Sequence, residues 1–471
     1  MKPKTLFTTK DRICNNIFSS SFNELFDLLY SLPGATSELV IGSLNYLVVA
    51  AASRSSLTFA VECTENRLVI LEGLLKTEVQ PVIRKLPKLY EVSAFLKNLR
   101  TDDVVIAINA SLSRQVDLAE QYCWTAGFNI MITDAHEIPS WCKKSCELIV
   151  PISPKKKSHH KGFRYFTSVL GNGEFWLTHA FYIDGPRDSQ YHVSKAHVVS
   201  DSFSKAHQLG LDVNYVLLDS RFFEVETLRE MMRKNIPYLM IARKTDRVRE
   251  IVLRGHYMLD HHYEPMTVPA ELKSKKYGTV QYNLVVVPRP SEKRVTSPRN
   301  THREIVGNYV TLATNMNHSN KIGTVNEVIS KGTAGLKGII KRWATQLAEL
   351  DYRKRSNIEV GYGRQELARG RTNTRNEAIR VLLFGLMAIL YNLYVLLRMY
   401  ERYGVPSSSG RKYLWWETDV RMWRVLVFVK QAFLITIVSV LGGARKLIKK
   451  HKYLRNKLKP ASYLLLPMLP M

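Results

Sequence analysis

The stretch FNIMITDAHEIPSW, residues Phe128–Trp141, begins the part of the chain whose pattern decides the fold. Its apolar run is the first of several short β-type runs. FRYFTSVL (Phe163–Leu170) and EFWLTHAFYI (Glu174–Ile183) follow it, on either side of the turn Gly171-Asn172-Gly173. Asn and Gly in such a turn favour a β-hairpin. The first three runs therefore predict strands in an antiparallel meander.

Helical and β-type runs alternate after the hairpin. A helical stretch over Val193–Leu209 precedes VNYVLL (213–218), and the helical FFEVETLREMMRKN (222–235) precedes IPYLMIA (236–242). This β-β-β-α-β-α-β order predicts one mixed sheet with helices packed against it. From residue 245 to about Asn315 the pattern is irregular and rich in β-type runs, which we interpret as an insertion into the core.

The sequence divides into five regions by pattern. They are a helical N-terminal region (1–120), the first part of the core (121–244), a β-rich insertion (245–320), core helices (321–400) and a basic helical C-terminal region (401–471). The N-terminal region shows helical periodicity in FNELFDLLYSL and RLVILEGLLKTEV. Docking on DNA and simple packing against the core both remain open for it.

The charge balance indicates a polyanionic partner. Lys and Arg number 68 against 41 Asp and Glu, which gives a formal net charge of +27. Nucleic acid is the usual partner for such an excess, because each neutralised phosphate releases a condensed counterion. An anionic membrane surface is the competing interpretation.

Two apolar stretches bear on the membrane alternative, Val381–Leu397 and Ala432–Ala444. Both fall at or below the ~20 residues that a spanning helix needs. The first also contains a polar residue, Asn392. We therefore predict two buried core helices and no membrane partner.

The cysteines favour a reducing compartment. Five cysteines form an odd set in a long chain, and no apolar signal-peptide core follows the N-terminus. We expect a cytoplasmic, nucleoid-associated protein. Cys142, Cys146 and His159 begin like a zinc finger, but the next histidine, His160, is adjacent instead of three to five residues on, which disfavours zinc.

Carboxylates close two of the apolar runs. Asp134 follows NIMIT and Asp219 follows VNYVLL, so we expect both at strand ends that face one cleft. Two Mg²⁺ ions about 3.5–4 Å apart, held by such carboxylates, serve phosphoryl transfer on DNA by activating one oxygen and stabilising another. Glu359 is the candidate third ligand. On a helix, Tyr352, Arg355 and Glu359 are spaced i, i+3, i+7 and share a face.

Each carboxylate also has an ordinary interpretation. An aspartate at a strand end is usually a cap or turn residue. Asp184, just before Gly185-Pro186, is interpreted in that way. For Glu359 the ordinary interpretation is a surface pair with arginine on a basic helix, which contributes little to stability.

These residues resemble a known family, the DDE insertion-sequence transposases with the signature Tyr-x2-Arg-x3-Glu-x6-Lys and a β-rich insertion before the glutamate. The resemblance covers roughly residues 128 to 397. It rests on ITDAHEIPSW, VLLDSRFF, IPYLMIARKT, YRKRSNIEVGYGR and NEAIRVLLFGLMAILYNLYVLLR. It implies a ribonuclease H-like core in which Asp134, Asp219 and Glu359 bind two Mg²⁺ or Mn²⁺ ions.

The resemblance also implies a function. A family member cleaves DNA and transfers strands at the ends of a mobile element, without ATP and without a covalent protein-DNA intermediate. Its partner is double-stranded DNA with terminal inverted repeats, bound by a protein homodimer. Tyr352 and Arg355 would then contact DNA near the cleaved phosphate.

The sequence departs from the family pattern at two places. Glu366 stands where the signature has lysine, so Arg364 or Arg369 would take over that phosphate contact. Ser220-Arg221 follow Asp219 where a basic and then a small residue are usual.

Two further interpretations remain at this stage. Lys244, after the strand IPYLMIA, is an expected phosphate contact whose ordinary interpretation is a solvated strand end. The alternative for the whole chain is a catalytically inactive, transposase-derived DNA-binding protein. Glu366 favours that alternative, and the three carboxylates oppose it.

Overall fold

The computed structural model describes residues 16–17, 20–75, 86–139, 147–152, 161–258, 265–289, 294, 301–316 and 376–404, with backbone alone for 67–75 and 401. Residues 20–30 are helical. The further helices are α1 (Ser37–Ala52), α2 (Leu57–Leu75), α3 (Leu89–Leu96), α4 (Thr101–Gln121), α5 (Lys195–Gln208), α6 (Val225–Arg233), α7 (Asp246–Met258), α8 (His302–Gly307) and α9 (Glu377–Tyr403). The strands are β1 (Ile130–Pro139), β2 (Ile149–Pro151), β3 (Lys161–Gly171), β4 (Trp176–Asp184), β5 (Tyr215–Leu218), β6 (Tyr238–Ile241), β7 (Met266–Ser274), β8 (Gly278–Pro288) and β9 (Tyr309–Thr314).

Within the described residues, all nine strands belong to one sheet. β1 pairs antiparallel with β3 and parallel with β5, β3 pairs antiparallel with β4, and β5 pairs parallel with β6. In the order β4-β3-β1-β5-β6, β3 is therefore antiparallel to the other four strands, which are parallel to one another. That is the strand order of a ribonuclease H-like core with helices between its later strands, and the predicted fold class is confirmed.

Local sequence explains the core elements. β5 and β6 are four-residue apolar runs, YVLL and YLMI, as expected of parallel strands with helices on both sides. The β3–β4 hairpin turns where Asn172 Oδ1 accepts the N–H groups of Glu174 at 3.0 Å and Phe175 at 3.1 Å. Gly173 provides the positive φ of 99° that the turn requires. The predicted hairpin is confirmed.

The stretch that we interpreted as an insertion continues the same sheet. β9 pairs antiparallel with β6, β8 with β9, and β7 with β8. The stretch also contains α7, a 13-residue helix that the sequence interpretation missed. Its buried residues, Val248, Val252 and His256, are four apart, as expected on one face of a helix. Only two of them are apolar and charged residues surround them, so the helical period is weak in the sequence.

The predicted buried helix over Val381–Leu397 is confirmed as part of α9, which packs against α4 and β4. α9 is the one unbroken helix of the described chain that is long and apolar enough to cross a membrane. The protein itself buries 94 % of its most apolar window. The pair α1–α2, bent by 103°, passes the same test only if both helices are counted as one span.

Several predicted features lie outside the described residues. These are the apolar stretch Ala432–Ala444, the residues Cys142, Cys146 and His159, and the whole region 401–471 after Gly404.

Candidate metal site

Asp134 lies within a strand and not at its end, which corrects the sequence prediction. It is the fifth of the ten residues of β1. The strand continues because Ala135 to Pro139 pair with Phe166 to Gly162 of β3. The Asp134 side chain is 8 % exposed, and its Oδ1 accepts the N–H of Ala135 at 2.8 Å.

Asp219 follows β5 directly, at a strand end as predicted. It caps the single 3₁₀ turn Ser220–Phe222, because its Oδ1 accepts the N–H of Arg221 at 2.7 Å. Phe222 is buried and meets the ring of Phe166 edge-on at 6.1 Å. The turn therefore anchors Asp219 to the core sheet. Asp219 is a capping residue, as in the ordinary interpretation, and the same carboxylate is the candidate metal ligand.

The register of β1 and β5 brings the two aspartates side by side. Ile132 pairs with Leu217 and Thr133 with Leu218 in the parallel ladder. One residue further along each strand direction, Asp134 comes alongside Asp219. Ile132 and Leu217 share one apolar cluster, and side chains alternate along a strand, so both carboxylates lie on that face of the sheet.

His136 lies two residues beyond Asp134 and therefore on the same face. Its ring centroid is 5.3 Å from that of Phe384 on α9. Phe384 also stacks on Tyr165, with ring centroids 4.1 Å apart. Helix α9 thus covers the sheet beside the aspartate pair.

The donor set fits a hard cation in part. Mg²⁺ takes oxygen ligands and typically binds one or two protein carboxylates while it keeps several waters. Asp134 and Asp219 supply such oxygens. In the part of the chain that the structure describes, no group of three or more His, Cys, Asp or Glu side chains could hold a metal ion.

The remaining residues of the predicted site lie outside the described ranges. They are Glu359 and the expected DNA contacts Tyr352, Arg355, Arg364 and Arg369. Their roles stay predictions.

The opposite face of the sheet carries an ion-pair cluster, formed by Glu137, Arg164, Asp184, His192 and Arg221. Glu137 Oε1 lies 3.2 Å from Arg164 Nε and 3.2 Å from Arg221 Nη1. Arg164 Nη1 is 3.0 Å from Asp184 Oδ2, and His192 Nδ1 is 3.3 Å from Asp184 Oδ1. Sequence reasoning missed this cluster and interpreted Asp184 as a turn residue. The available signal was the charge of Glu137 and Arg164 inside otherwise apolar strands.

Arg221 connects this cluster to the aspartate pair. Besides its contact with Glu137, its Nε lies 3.9 Å from Asp219 Oδ2. A cation beside one of two neighbouring carboxylates reduces their mutual repulsion. Arg221 therefore stabilises the Asp219 carboxylate. It stands at a position where the family pattern has a small residue.

Lys244 points into the protein. Its Nζ donates to the carbonyl oxygens of Val306 at 2.6 Å and Tyr309 at 2.8 Å. Burial lowers the pKa of Lys244 to about 8, and the charges of Arg289 and Arg249 add to the effect. A phosphate contact by Lys244 stays a prediction, while its observed role is to join β6 to the α8–β9 connection.

No family profile matches the chain, and no curated protein sequence matches it. Among solved structures, the chain is similar to piggyBac transposase in a synaptic complex with hairpin DNA, with a TM-score of 0.49 and 10 % identity over 98 % of this chain and 85 % of that chain. A likeness of this degree says nothing about activity. The geometry of Asp134 and Asp219 has to carry the functional conclusion.

Proposed function

We propose that the chain is a DDE DNA transposase, which cleaves DNA at the ends of a mobile insertion sequence and transfers the strands. The observation that carries this proposal is the alignment of Asp134 with Asp219 on neighbouring parallel strands of a ribonuclease H-like sheet. The resemblance of the sequence around both aspartates to this family supports it, with Glu359 as the third ligand.

The chemistry follows from the carboxylates. Two divalent ions, Mg²⁺ or Mn²⁺, supply an activated oxygen nucleophile and stabilise the leaving oxygen when bound. The chain orients one oxygen of each aspartate through a backbone N–H, from Ala135 and from Arg221. Asp134 lies inside a paired strand and Asp219 caps a turn, so both ligands are held on rigid elements, as an accurate site requires.

The proposed partner is double-stranded DNA with terminal inverted repeats, bound by a homodimer. The net charge of +27 supports a phosphate-rich partner. We propose that the protein is cytoplasmic and associated with the nucleoid, in keeping with a DNA substrate. Tyr352, Arg355, Arg364 and Arg369 are the proposed phosphate contacts around Glu359.

The test is metal-dependent cleavage of labelled DNA that carries the flanking ends of the gene itself. The natural protein is compared with Asp134→Ala, Asp219→Ala and Glu359→Ala, with Mg²⁺, with Mn²⁺ and with EDTA. We expect each substitution to abolish cleavage while binding of the same DNA persists. The matched control is Asp212→Ala, because Asp212 is exposed and precedes β5 at the opposite end of that strand.

A second readout does not depend on cleavage. Titration calorimetry with Mn²⁺ alone should show binding to the natural protein and to Asp212→Ala, and weaker binding to Asp134→Ala and Asp219→Ala. Tight, salt-sensitive DNA binding without any metal-dependent cleavage would instead establish the second candidate, an inactive transposase-derived DNA-binding protein. Glu366, at the lysine position of the signature, is the observation that favours it.

A further inference from the structure

A large cleft opens on the face of the sheet that carries the ion-pair cluster, opposite to the aspartate pair. Its volume is about 1140 Å³. The β7–β8 hairpin forms one wall, through residues such as Leu272 and Tyr277. The end of β4, the starts of α5 and α6, and the residues after β6 form the other wall. The cleft therefore lies between the stretch interpreted as an insertion and the core.

The lining of the cleft is positively charged. Its cationic side chains are Arg164, Arg187, Lys195, Arg243, Lys273 and Lys276, and its carboxylates are Asp184, Glu224 and Glu226. Arg164 pairs with Asp184 at 3.0 Å and Lys195 with Glu224 at 3.1 Å. Lys273 pairs with Glu271 of β7 at 3.2 Å, and its side chain stays 64 % exposed. Arg187, Arg243 and Lys276 add three cations to the lining against the one further carboxylate of Glu226, so the cleft attracts an anion with more than one charge.

Two helices add to this field. α5 and α6 both begin at the cleft, where Ser194, Lys195, Glu224 and Val225 line it. The first N–H groups of a helix have no partner within that helix, and the helix dipole adds partial positive charge at this end. The helix dipoles thus add to the positive potential in the cleft, most of which comes from the charged side chains.

An aromatic side chain also lines the cleft. Tyr277 lines its wall at the tip of the β7–β8 hairpin, and the ammonium of Lys276 lies 4.8 Å from the ring centroid. Buried Phe223 contributes apolar surface from the core side. A positively charged groove with an aromatic side chain is the combination that binds single-stranded nucleic acid, since phosphates meet cations and bases stack on rings.

Size decides between a single strand and a duplex. The volume of about 1140 Å³ exceeds slightly the range of about 300–1,000 Å³ that encloses one drug-sized molecule. It has room for a short run of nucleotides. A double helix does not enter such a space, because its major groove alone is about 12 Å wide and admits a whole protein helix.

We propose that this cleft binds a short segment of single-stranded DNA through its phosphates, with Lys273 and Lys276 on the hairpin as principal contacts. The site lies on the face of the sheet opposite to the Asp134 and Asp219 carboxylates and needs no metal. Two of its lining residues, Lys195 and Arg243, donate to the carbonyl oxygens of Ser220 and Arg221, which follow Asp219. The cleft adds to the proposed cleavage activity a place for an unpaired strand, and its occupancy does not depend on that activity.

The experiment is fluorescence anisotropy with a labelled twelve-nucleotide oligothymidylate, in EDTA, over a series of salt concentrations. The variant is the double substitution Lys273→Ala/Lys276→Ala. We expect its affinity to fall at least about tenfold. The slope of log affinity against log salt should fall by about 1.4, because each phosphate neutralised on a single strand contributes about 0.7.

The matched control is Lys275→Ala, since Lys275 is exposed on the same turn but does not line the cleft. Lys275→Ala should bind the oligonucleotide as the natural protein does. A duplex of the same length should bind the double variant and the natural protein equally.

Two results would overturn the proposal: unchanged single-strand binding by the double variant, or an equal loss for single strand and duplex. Asp134→Ala, tested in the same assay, should bind the single strand normally. This arm separates a failure of the cleft proposal from a failure of the proposed cleavage activity.

Discussion

Charged residues on the central strand β1 are divided between its two faces. Asp134 lies on the face covered by α9, beside Asp219, and Glu137 lies on the other face between two guanidinium groups. Three residues apart on a strand means opposite faces. One strand thus carries the carboxylate that we propose as a cation ligand on one face and a carboxylate already neutralised by arginine on the other.

Arg164 is the residue of the ion-pair cluster on which two buried carboxylates depend. The side chains of Glu137 and Asp184 are each 5 % exposed. We predict that Arg164→Met lowers the free energy of unfolding by about 3 kcal/mol, because two buried carboxylates each lose one of their two partners. Glu137 keeps Arg221, and Asp184 keeps His192. Urea unfolding at neutral pH measures the loss.

The matched control is Arg233→Met, since Arg233 pairs with Glu230 on the surface of α6. That substitution should leave the unfolding midpoint unchanged. Equal effects of the two substitutions would show that the cluster does not stabilise the fold.

His179 makes stability depend on pH. It is fully buried in β4, its Nε2 lies 3.0 Å from the carbonyl oxygen of Ser202, and burial lowers its pKa from 6.5 to about 4. Between these values the unfolded chain binds more protons than the folded one. Stability is therefore complete above pH 6.5 and falls as the pH drops towards 4.

The loss attributable to His179 should reach about 3 kcal/mol at pH 4. It is measured as the difference between the urea-unfolding curves of the natural protein and His179→Gln over this pH range. The variant should lose less stability on acidification. Parallel pH profiles for the two proteins would contradict the assignment.

The position of Asp219 was predictable from sequence, and that of Asp134 was not. A short apolar run followed by an acid is typical of a buried parallel strand that ends there. After Asp134, however, β1 continues through Ala135, His136 and Glu137, which break the apolar pattern. Their partners, such as Arg164 on β3, are long-range pairs that no local pattern reveals.

Helices α4 and α9 cover the edge of the sheet at β4. In the described sheet β4 pairs with β3 alone. A β-bulge at His179 shifts the pairing register between β3 and β4 by one residue, since Thr178 pairs with Val169 and Ala180 with Ser168. The backbone groups of Thr178 and Phe181 then both turn towards the helices.

Two asparagines satisfy this edge as a neighbouring strand would. Asn392 of α9 accepts from Thr178 N at 2.8 Å and donates to Thr178 O at 2.7 Å. Asn109 of α4 makes the same pair of bonds to Phe181, each at 2.9 Å. A helix that covers a sheet edge in this way prevents pairing with another chain.

Asn392→Leu tests this arrangement and the membrane alternative together. We predict a loss of about 2–6 kcal/mol in the free energy of unfolding, because a buried N–H and a buried C=O lose their partners at about 1–3 kcal/mol each. Urea unfolding without detergent measures it. In a membrane-spanning helix the same change would be neutral or favourable, since leucine inserts readily into lipid.

The control for Asn392→Leu is Asn98→Leu, at the exposed end of α3, which should change stability little. A neutral Asn392→Leu, or a protein that is soluble only in detergent, would favour the membrane interpretation. The polar residue in the apolar stretch was visible in the sequence. Its partner, 214 residues away, was not.

For the whole molecule, the question is whether the N-terminal helices form a separate unit. One hydrophobic cluster includes Leu44 of α1, Leu112 of α4, Leu390 of α9 and Leu284 of β8. Gln115 of α4 also donates to the carbonyl oxygen of Ile389, at 3.1 Å. The boundary at residue 120, which the sequence predicts from its pattern, therefore crosses a continuous core.

Helices α9 and α4 approach closely at Gly385 of α9. A Cβ there would overlap the side chain of Ile108 on α4. We predict that Gly385→Val pushes α4 away from α9 and destabilises the protein by about 1–3 kcal/mol, the usual cost of overpacking. Because the core is shared, the protein should still unfold in a single transition, at a lower urea concentration, with helix content by circular dichroism and tryptophan fluorescence changing together.

Gly307→Val is the control, since a Cβ at Gly307 meets nothing within 4 Å. A separate early step in helix content, with fluorescence unchanged, would instead show that residues 1–120 unfold as an independent domain.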